Sequence, residues 1–187
     1  MKRFFAPLCV ALLATAVRAA PAPGWAVDKV ASSVRFSSSL NGAAFSGAFR
    51  RWDADIRFDP ANLAGSSVTA SFETASAATG DADRDQALPT AVFLSAAQFP
   101  RATFAAHAFK ALGAGRYQAI GTLTLRGATK PLTLPFTLAI TGPQARMNAT
   151  VALNRLAFGV GQNEWKATGN LPAVVTVTIA LTARRKS

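Results

Sequence analysis

"GTLTLRGATKPLTLPFTLAIT", Gly121 to Thr141, decides the fold. An apolar residue, most often Leu, takes nearly every second place and Thr most of the others, up to a turn and again beyond it. Alternation with period two marks strands that are apolar on one face and polar on the other. Two such runs joined by a short Gly-bearing turn form a hairpin. The open question is whether Leu123, Leu125, Leu134 and Phe136 face an ordinary core or a cavity built for an apolar guest.

The same habit extends in both directions. Upstream, Tyr117, Ala119, Gly121, Leu123 and Leu125 share one face, and Phe104, Ala106 and Ala108 alternate with Thr103 and His107. Downstream come Leu132 to Ile140, then Met147, Ala149, Val151 and Leu153, and later Val175, Val177, Ile179 and Leu181. Turn signals at 113–115 ("GAG"), 126–131 ("RGATKP") and 141–144 ("TGPQ") separate them, so 103–153 reads as an up-and-down meander. Nearer the start, Val34, Phe36, Ser38 and Leu40 form one face, Ile56 and Phe58 another, and Val68, Ala70 and Phe72 a third. Segment 42–59 holds two strands, with Gly47 easing a bend. The total is about eight strands.

Two stretches break the pattern. "TGDADRDQALPTAVFLSAAQ" (79–98) predicts a helical turn or two and a loop, and "NRLAFGVGQNEWKATGNLP" (154–172) is a long Gly-bearing connection of the kind that serves as a lid. About eight antiparallel strands with one apolar face close as a sandwich or as a barrel. At eight strands a barrel interior either fills with side chains or holds one small ligand. The inverted alternative, an outer-membrane barrel with its apolar face outward, lacks aromatic girdles at the strand ends and the terminal aromatic strand, since the last segment reads "LTARRKS".

The 187 residues suit one domain, and 50% hydrophobic against 16% charged residues excludes a disordered chain. "MKRFFAPLCVALLATAVRAAPAPGW" has a basic start, a short apolar run and small residues before a flexible stretch, the order of a secretory signal peptide. Residues 1–19 are expected to be cleaved, leaving a single β-barrel domain over 20–187 and a periplasmic location. Cleavage removes Cys9, hence disulfides and thiol chemistry. It also removes Lys2, Arg3 and Arg18, leaving 20 − 3 = 17 basic residues against 9 acidic ones, about +8. That charge favours anionic partners, among them transient contact with an anionic membrane surface. Nucleic acid is set aside for an exported chain.

Catalytic and metal chemistry find little material. His107 is the only histidine and points away from the Phe104 face, so no His-based metal site is available. No G-x-S-x-G elbow, P-loop or dinucleotide fingerprint occurs. Asp53, Asp55 and Asp59 interleave with Arg51 and Arg57 as a surface ladder. Arg84-Asp85 opens a short helix and ties it to the sheet, with Asp85 near its N-terminus. No catalytic residue, metal ligand or cofactor is expected.

These segments together resemble the YceI-like family, also called the polyisoprenoid- or lipid-binding family. The resemblance runs through "WAVDKVASSVRF" (25–36), "GAFRRWDADIRFDP" (47–60), "TGDADRDQAL" (79–88), "FPRATF" (99–104), "GTLTLRGATKPLTLPF" (121–136) and "NRLAFGV" (154–160). Arg84 and Asp85 match the family's R-D pair, Arg126 and Gly127 its hairpin, and Arg155, Phe158 and Gly159 its late R-x-x-F-G motif. Where the family often carries His, this chain has Ser32. The resemblance implies an all-β fold: an extended eight-stranded antiparallel β-barrel, lipocalin-like, with one or two short helices. It further implies an exported, non-enzymatic protein holding a polyisoprenoid, isoprenoid quinone or fatty-acid-like lipid in an apolar tunnel.

On that reading Phe36, Phe58, Phe72, Phe104, Leu123, Leu125, Leu134, Phe136 and Phe158 are expected to line the tunnel. Arg84, Arg126 and Arg155 are the candidates for gripping a ligand head group. The alternative is a packed-core barrel acting as a periplasmic interaction or stress-response module without a lipid. Whether two barrels pair as a homodimer is left open.

Overall fold

The structure is a computed structural model and describes residues 20–186; the expected signal peptide lies outside the described residues. Among the described residues, eleven strand segments pair into one antiparallel sheet: β1 (Gly24–Val27), β2 (Ser33–Leu40), β3 (Ala43–Phe49), β4 (Trp52–Arg57), β5 (Ser67–Glu73), β6 (Ala77–Ala78), β7 (Arg101–Gly113), β8 (Arg116–Leu125), β9 (Ala128–Thr141), β10 (Gln144–Asn154) and β11 (Val174–Arg185). β1/β2, β3/β4 and β5/β6 are each one long strand broken by a kink, at 28–32, 50–51 and 74–76. Counted so, eight strands run up and down in chain order. The ring closes because β11 pairs with β2 over 176–180 and with β1 over 183–185. The fold is a closed eight-stranded antiparallel barrel, and closure removes the exposed edges an open sheet would present.

Side-chain hydroxyls replace the missing ladder bonds at the kinks. Ser32 Oγ accepts from the Thr182 N–H (3.0 Å), bridging the break between β1 and β2. Ser76 Oγ donates to Glu73 O (2.7 Å) and accepts from Arg51 N (3.0 Å), while Thr74 Oγ1 donates to Phe99 O (2.7 Å). Thr74 is wholly buried, so both its N–H, bonded to Pro100 O, and its hydroxyl are satisfied inside the protein. Beside the β3/β4 kink, Gly47 is the register partner of Phe36, and a Cβ there would lie 2.4 Å from the Phe36 ring and 2.7 Å from Ala78 O. Only glycine lets that ring lie flat across the strand.

The meander departs from its expected alternation within β7 and in the β8–β9 turn, and the β7–β8 register slips once more between Ala111 and Gly113. The β7–β8 register passes from Ala106↔Gly121 to Ala108↔Ile120, so His107 is the extra residue of a β-bulge. The bulge shifts parity: the inward face continues from Ala106 to Phe109, and Ala108 turns out to solvent, against the expected grouping. The turn expected over 126–131 is only Arg126-Gly127, and Ala128–Pro131 already belong to β9. β9 keeps its β10 partner only from Phe136 onward. Pro131 and Pro135, which donate no hydrogen bond, fall in the part where that pairing is lost.

The short helix α1 (Ala82–Ala87) sits in the 79–100 segment, capped by Asp81, whose carboxylate accepts from Arg84 N (3.0 Å). The 154–173 connection lies over the same end of the barrel. Gly161 N and Gln162 N donate to Val92 O, and Trp165 packs on Phe93 with ring centroids 5.6 Å apart, so the two irregular segments form one cap.

Candidate functional site

The inward faces of these strands enclose an apolar cavity of about 190 Å³. That is room for on the order of a dozen water-sized spheres. On β10 its wall runs from Ala145 to Leu153, roughly 27 Å at 3.4 Å per residue along the strand. The Leu and Phe of the opening stretch therefore face a hollow. Phe72, Leu125, Leu132, Phe136, Met147, Val151 and Ile179 all line it, and all are only half-buried although their strand positions point inward. Their uncovered area faces the cavity, the mark of an interior its own side chains do not fill.

One end is floored by aromatic rings. Phe58 is buried and meets Phe109, Tyr117 and Phe136 edge-on, at centroid distances of 5.3, 5.3 and 5.7 Å. Trp25 completes this floor, its indole N–H donating to Phe58 O (2.9 Å). Towards the other end the wall is Phe49, Trp52 and Phe72 on one side and Leu125, Leu132 and Leu153 on the other. Arg57 and Ser67, register partners across β4 and β5, border the cavity without adding polar surface to it, because the Arg57 side chain stands on the outer face between inward Ile56 and Phe58.

Of the nine residues expected to line a tunnel, Phe58, Phe72, Phe104, Leu123, Leu125, Leu134 and Phe136 border the cavity. Phe36 and Phe158 do not. Phe36 is laid across Gly47 and against Phe49, with centroids 5.7 Å apart, which takes it out of the lumen. Phe158 is buried with Phe104, Leu123 and Leu134, near where β9 and β10 part, and closes the wall instead of lining it. Sequence reasoning missed Trp25, Phe49, Trp52 and Phe109. Phe49 and Trp52 were legible by alternation within 42–59; Phe109 was hidden by the bulge.

The three head-group candidates gather at the capped end, but none borders the cavity. Arg155 is 4% exposed and gives its guanidinium to four backbone oxygens: Pro172 (2.9 Å), Val160 (2.9 Å), Leu171 (2.8 Å) and Ala167 (3.5 Å). Burial lowers its pKa from the ordinary guanidinium value, and the ring of carbonyls offsets that cost. This corrects the expected role: Arg155 is the pin of the 154–173 cap. Arg126 reaches across to Ala91 O (2.6 Å) and holds the other half of the cap. Arg84 pairs with Asp81 (3.3 Å), donates to Thr79 Oγ1 and lies 5.2 Å from the Phe45 ring centre.

Asp85 turns back on the segment before α1. Its carboxylate accepts from Thr79 N (2.6 Å), Thr79 Oγ1 (2.8 Å) and Gly80 N (3.1 Å), and these bonds hold its pKa below the ordinary aspartate value. His107 stands exposed on the bulge.

A family model described as the YceI-like domain matches residues 25–183. The chain belongs to the YceI-like family. A UPF0312 protein of Pseudomonas savastanoi pv. phaseolicola is 31% identical over 169 residues, covering 86% of this chain and 88% of the relative. A UPF0312 protein of Vibrio cholerae is 30% identical over 168 residues, covering 88% and 79%. Among solved structures, Burkholderia cenocepacia BcnA superposes with a TM-score of 0.80 at 30% identity, over 83% of this chain and 98% of that one. A polyisoprenoid-binding domain from Saccharophagus degradans shares the fold at a TM-score of 0.69 and 15% identity, over 88% and 99%.

Proposed function

We propose that this YceI-like protein is an exported, non-enzymatic carrier that sequesters a long apolar chain, a polyisoprenoid, isoprenoid quinone or fatty-acid-like lipid, in the barrel cavity. The observation that carries this reading is the half-buried state of inward-facing Phe, Leu, Met and Val side chains around unfilled space. The fold shared with a polyisoprenoid-binding domain supports it, as does the signal-like start of the sequence, which would place the carrier in the periplasm.

The mechanism is exclusion of water. Each methylene moved from water into the cavity contributes about 0.8 kcal/mol, so a dozen carbons supply on the order of 10 kcal/mol before ordering costs. A wall almost without hydrogen-bonding groups selects for length and width more than for chemistry. The packed-core alternative requires a filled interior, which the cavity argues against.

Native mass spectrometry of protein purified from its host tests the reading directly: a lipid-sized mass adduct is expected. Leu125 borders the cavity, and Leu125→Trp is expected to abolish uptake of a fluorescent long-chain lipid while leaving the β circular-dichroism spectrum intact. Bare protein together with uptake unchanged by Leu125→Trp would overturn it.

A further inference from the structure

The barrel has two poles of different charge. One carries the cap, the 41–42 hairpin and the 126–127 hairpin. The other gathers the 114–115 and 142–143 hairpins, the 58–66 loop and the paired ends of β1, β4 and β11. Backbone bonds knit this second pole together: Arg185 N to Pro143 O, Lys186 N to Gly24 O, Leu138 N to Gly115 O and Phe58 N to Pro23 O.

Six exposed basic side chains stand on it: Arg57, Lys110, Arg116, Arg184, Arg185 and Lys186. The carboxylates among the same elements are Asp59 and Asp55, the latter 3.8 Å from Lys186 Nζ. At the capped pole Arg84, Arg126, Lys130, Arg155 and Lys166 stand against Asp81, Asp83, Asp85 and Glu164, which nearly cancel. The first-named pole thus carries about +1 (5 − 4) and the second about +4 (6 − 2). Within that end, the hairpin tip presents Leu112, 39% exposed, between Lys110 and Arg116.

We propose that this basic pole docks on an anionic lipid bilayer. An anionic leaflet attracts clustered Lys and Arg within a Debye length, and each such residue near the surface adds to the attraction. A lone apolar side chain flanked by basic ones seats at the headgroup boundary while the long basic stems reach the phosphates. The orientation follows: the cap faces away from the membrane. Docking goes beyond the carrier reading and stands whether or not the cavity is filled; only loading from the bilayer would rest on that reading.

Co-sedimentation of the exported protein with phosphatidylcholine vesicles, with and without phosphatidylglycerol, tests the proposal. Binding is expected only to the anionic vesicles and is expected to be lost at high salt. Lys110→Glu with Arg116→Glu should weaken it at least about tenfold, and Arg184→Glu with Arg185→Glu, a separate pair on another strand, should do the same. Lys130→Glu with Lys166→Glu, at the capped pole, should change it less than about twofold. Leu112→Ser should weaken vesicle binding but not retention on heparin. Equal binding to uncharged vesicles, no binding to anionic ones, equal losses at both poles, or a silent Leu112→Ser with heparin displacing the vesicles would each overturn the proposal, the last in favour of a general polyanion surface. This assay reads no lipid uptake, so its failure leaves the carrier reading untouched.

Discussion

The two halves of the barrel solve the same problem differently. From β7 to β11 the strands are 10 to 14 residues long and lean on ladder bonds and on Leu, Met, Val and Ile facing the cavity. From β1 to β6 every strand is broken once, and the hydroxyls of half-buried Ser32 and of buried Thr74 and Ser76 carry the bonds that a straight ladder would make. The bent half also supplies most of the large rings, Trp25, Phe49, Trp52, Phe58 and Phe72. The difference teaches that curvature was obtained by replacing backbone partners with side-chain partners, at positions where one substitution does disproportionate harm.

The largest effect is expected where the straight half departs from its own rule, in the 154–173 connection. Arg155→Met would leave four carbonyls without their donor in a buried setting and should destabilise the fold by about 3 kcal/mol. Urea denaturation measures the loss, and limited proteolysis should cut within 156–172 first. Unchanged stability would mean that the cap holds without its pin.

Next comes a direct contrast between the halves. Thr74→Val keeps the shape but leaves the Phe99 carbonyl bare, and is expected to cost about 2 kcal/mol. Thr133→Val, an exposed outward position on β9, should fall within about 0.5 kcal/mol of the parent. Similar costs at both sites would erase the distinction between a ladder-held and a hydroxyl-held half. Smaller again is the response to filling the hollow. Met147 borders the cavity, so Met147→Phe should be tolerated within about 1 kcal/mol, whereas the same enlargement in a packed core costs roughly 1–3. Thermal melts decide it, and a large penalty would mean that the space is smaller than the geometry implies.

The same contrast explains what the sequence made legible. Alternation is local, so the straight strands, their hairpins and the inward faces that carry seven of the nine residues expected to line the tunnel could be read from spacing. Bulges and kinks depend on partners far away in the chain. Nothing around His107 announces that β7 gains a residue against β8, so Phe109 was assigned to neither face. Phe36 keeps perfect alternation and still leaves the lumen, because its register partner is a glycine on the next strand. Charged residues were read least well. A guanidinium near the mouth of a barrel serves a ligand or a loop equally well by residue type, and only the four carbonyls around Arg155 decide for the loop.

The smallest effect belongs to the connection that leads out of the bent half. Asp85 accepts first from the Thr79 backbone, then from the Thr79 hydroxyl, with a further bond from Gly80, and its pKa is lowered from 3.8. A carboxylate whose folded pKa lies below its unfolded value stabilises the fold above the unfolded value, and that contribution is lost as pH falls through the folded one. Asp85→Asn should therefore lower the melting temperature slightly at neutral pH, and the gap between parent and variant should close at pH values below 3.8. The effect stays small because water screens a carboxylate at the surface. Glu73 and Asp53 are lowered in the same way by Arg51 and Lys29, so both proteins lose stability together in acid, and only the difference between them reports Asp85. A gap that persisted undiminished below that pH would show that Asn disturbs the turn by shape, not by charge.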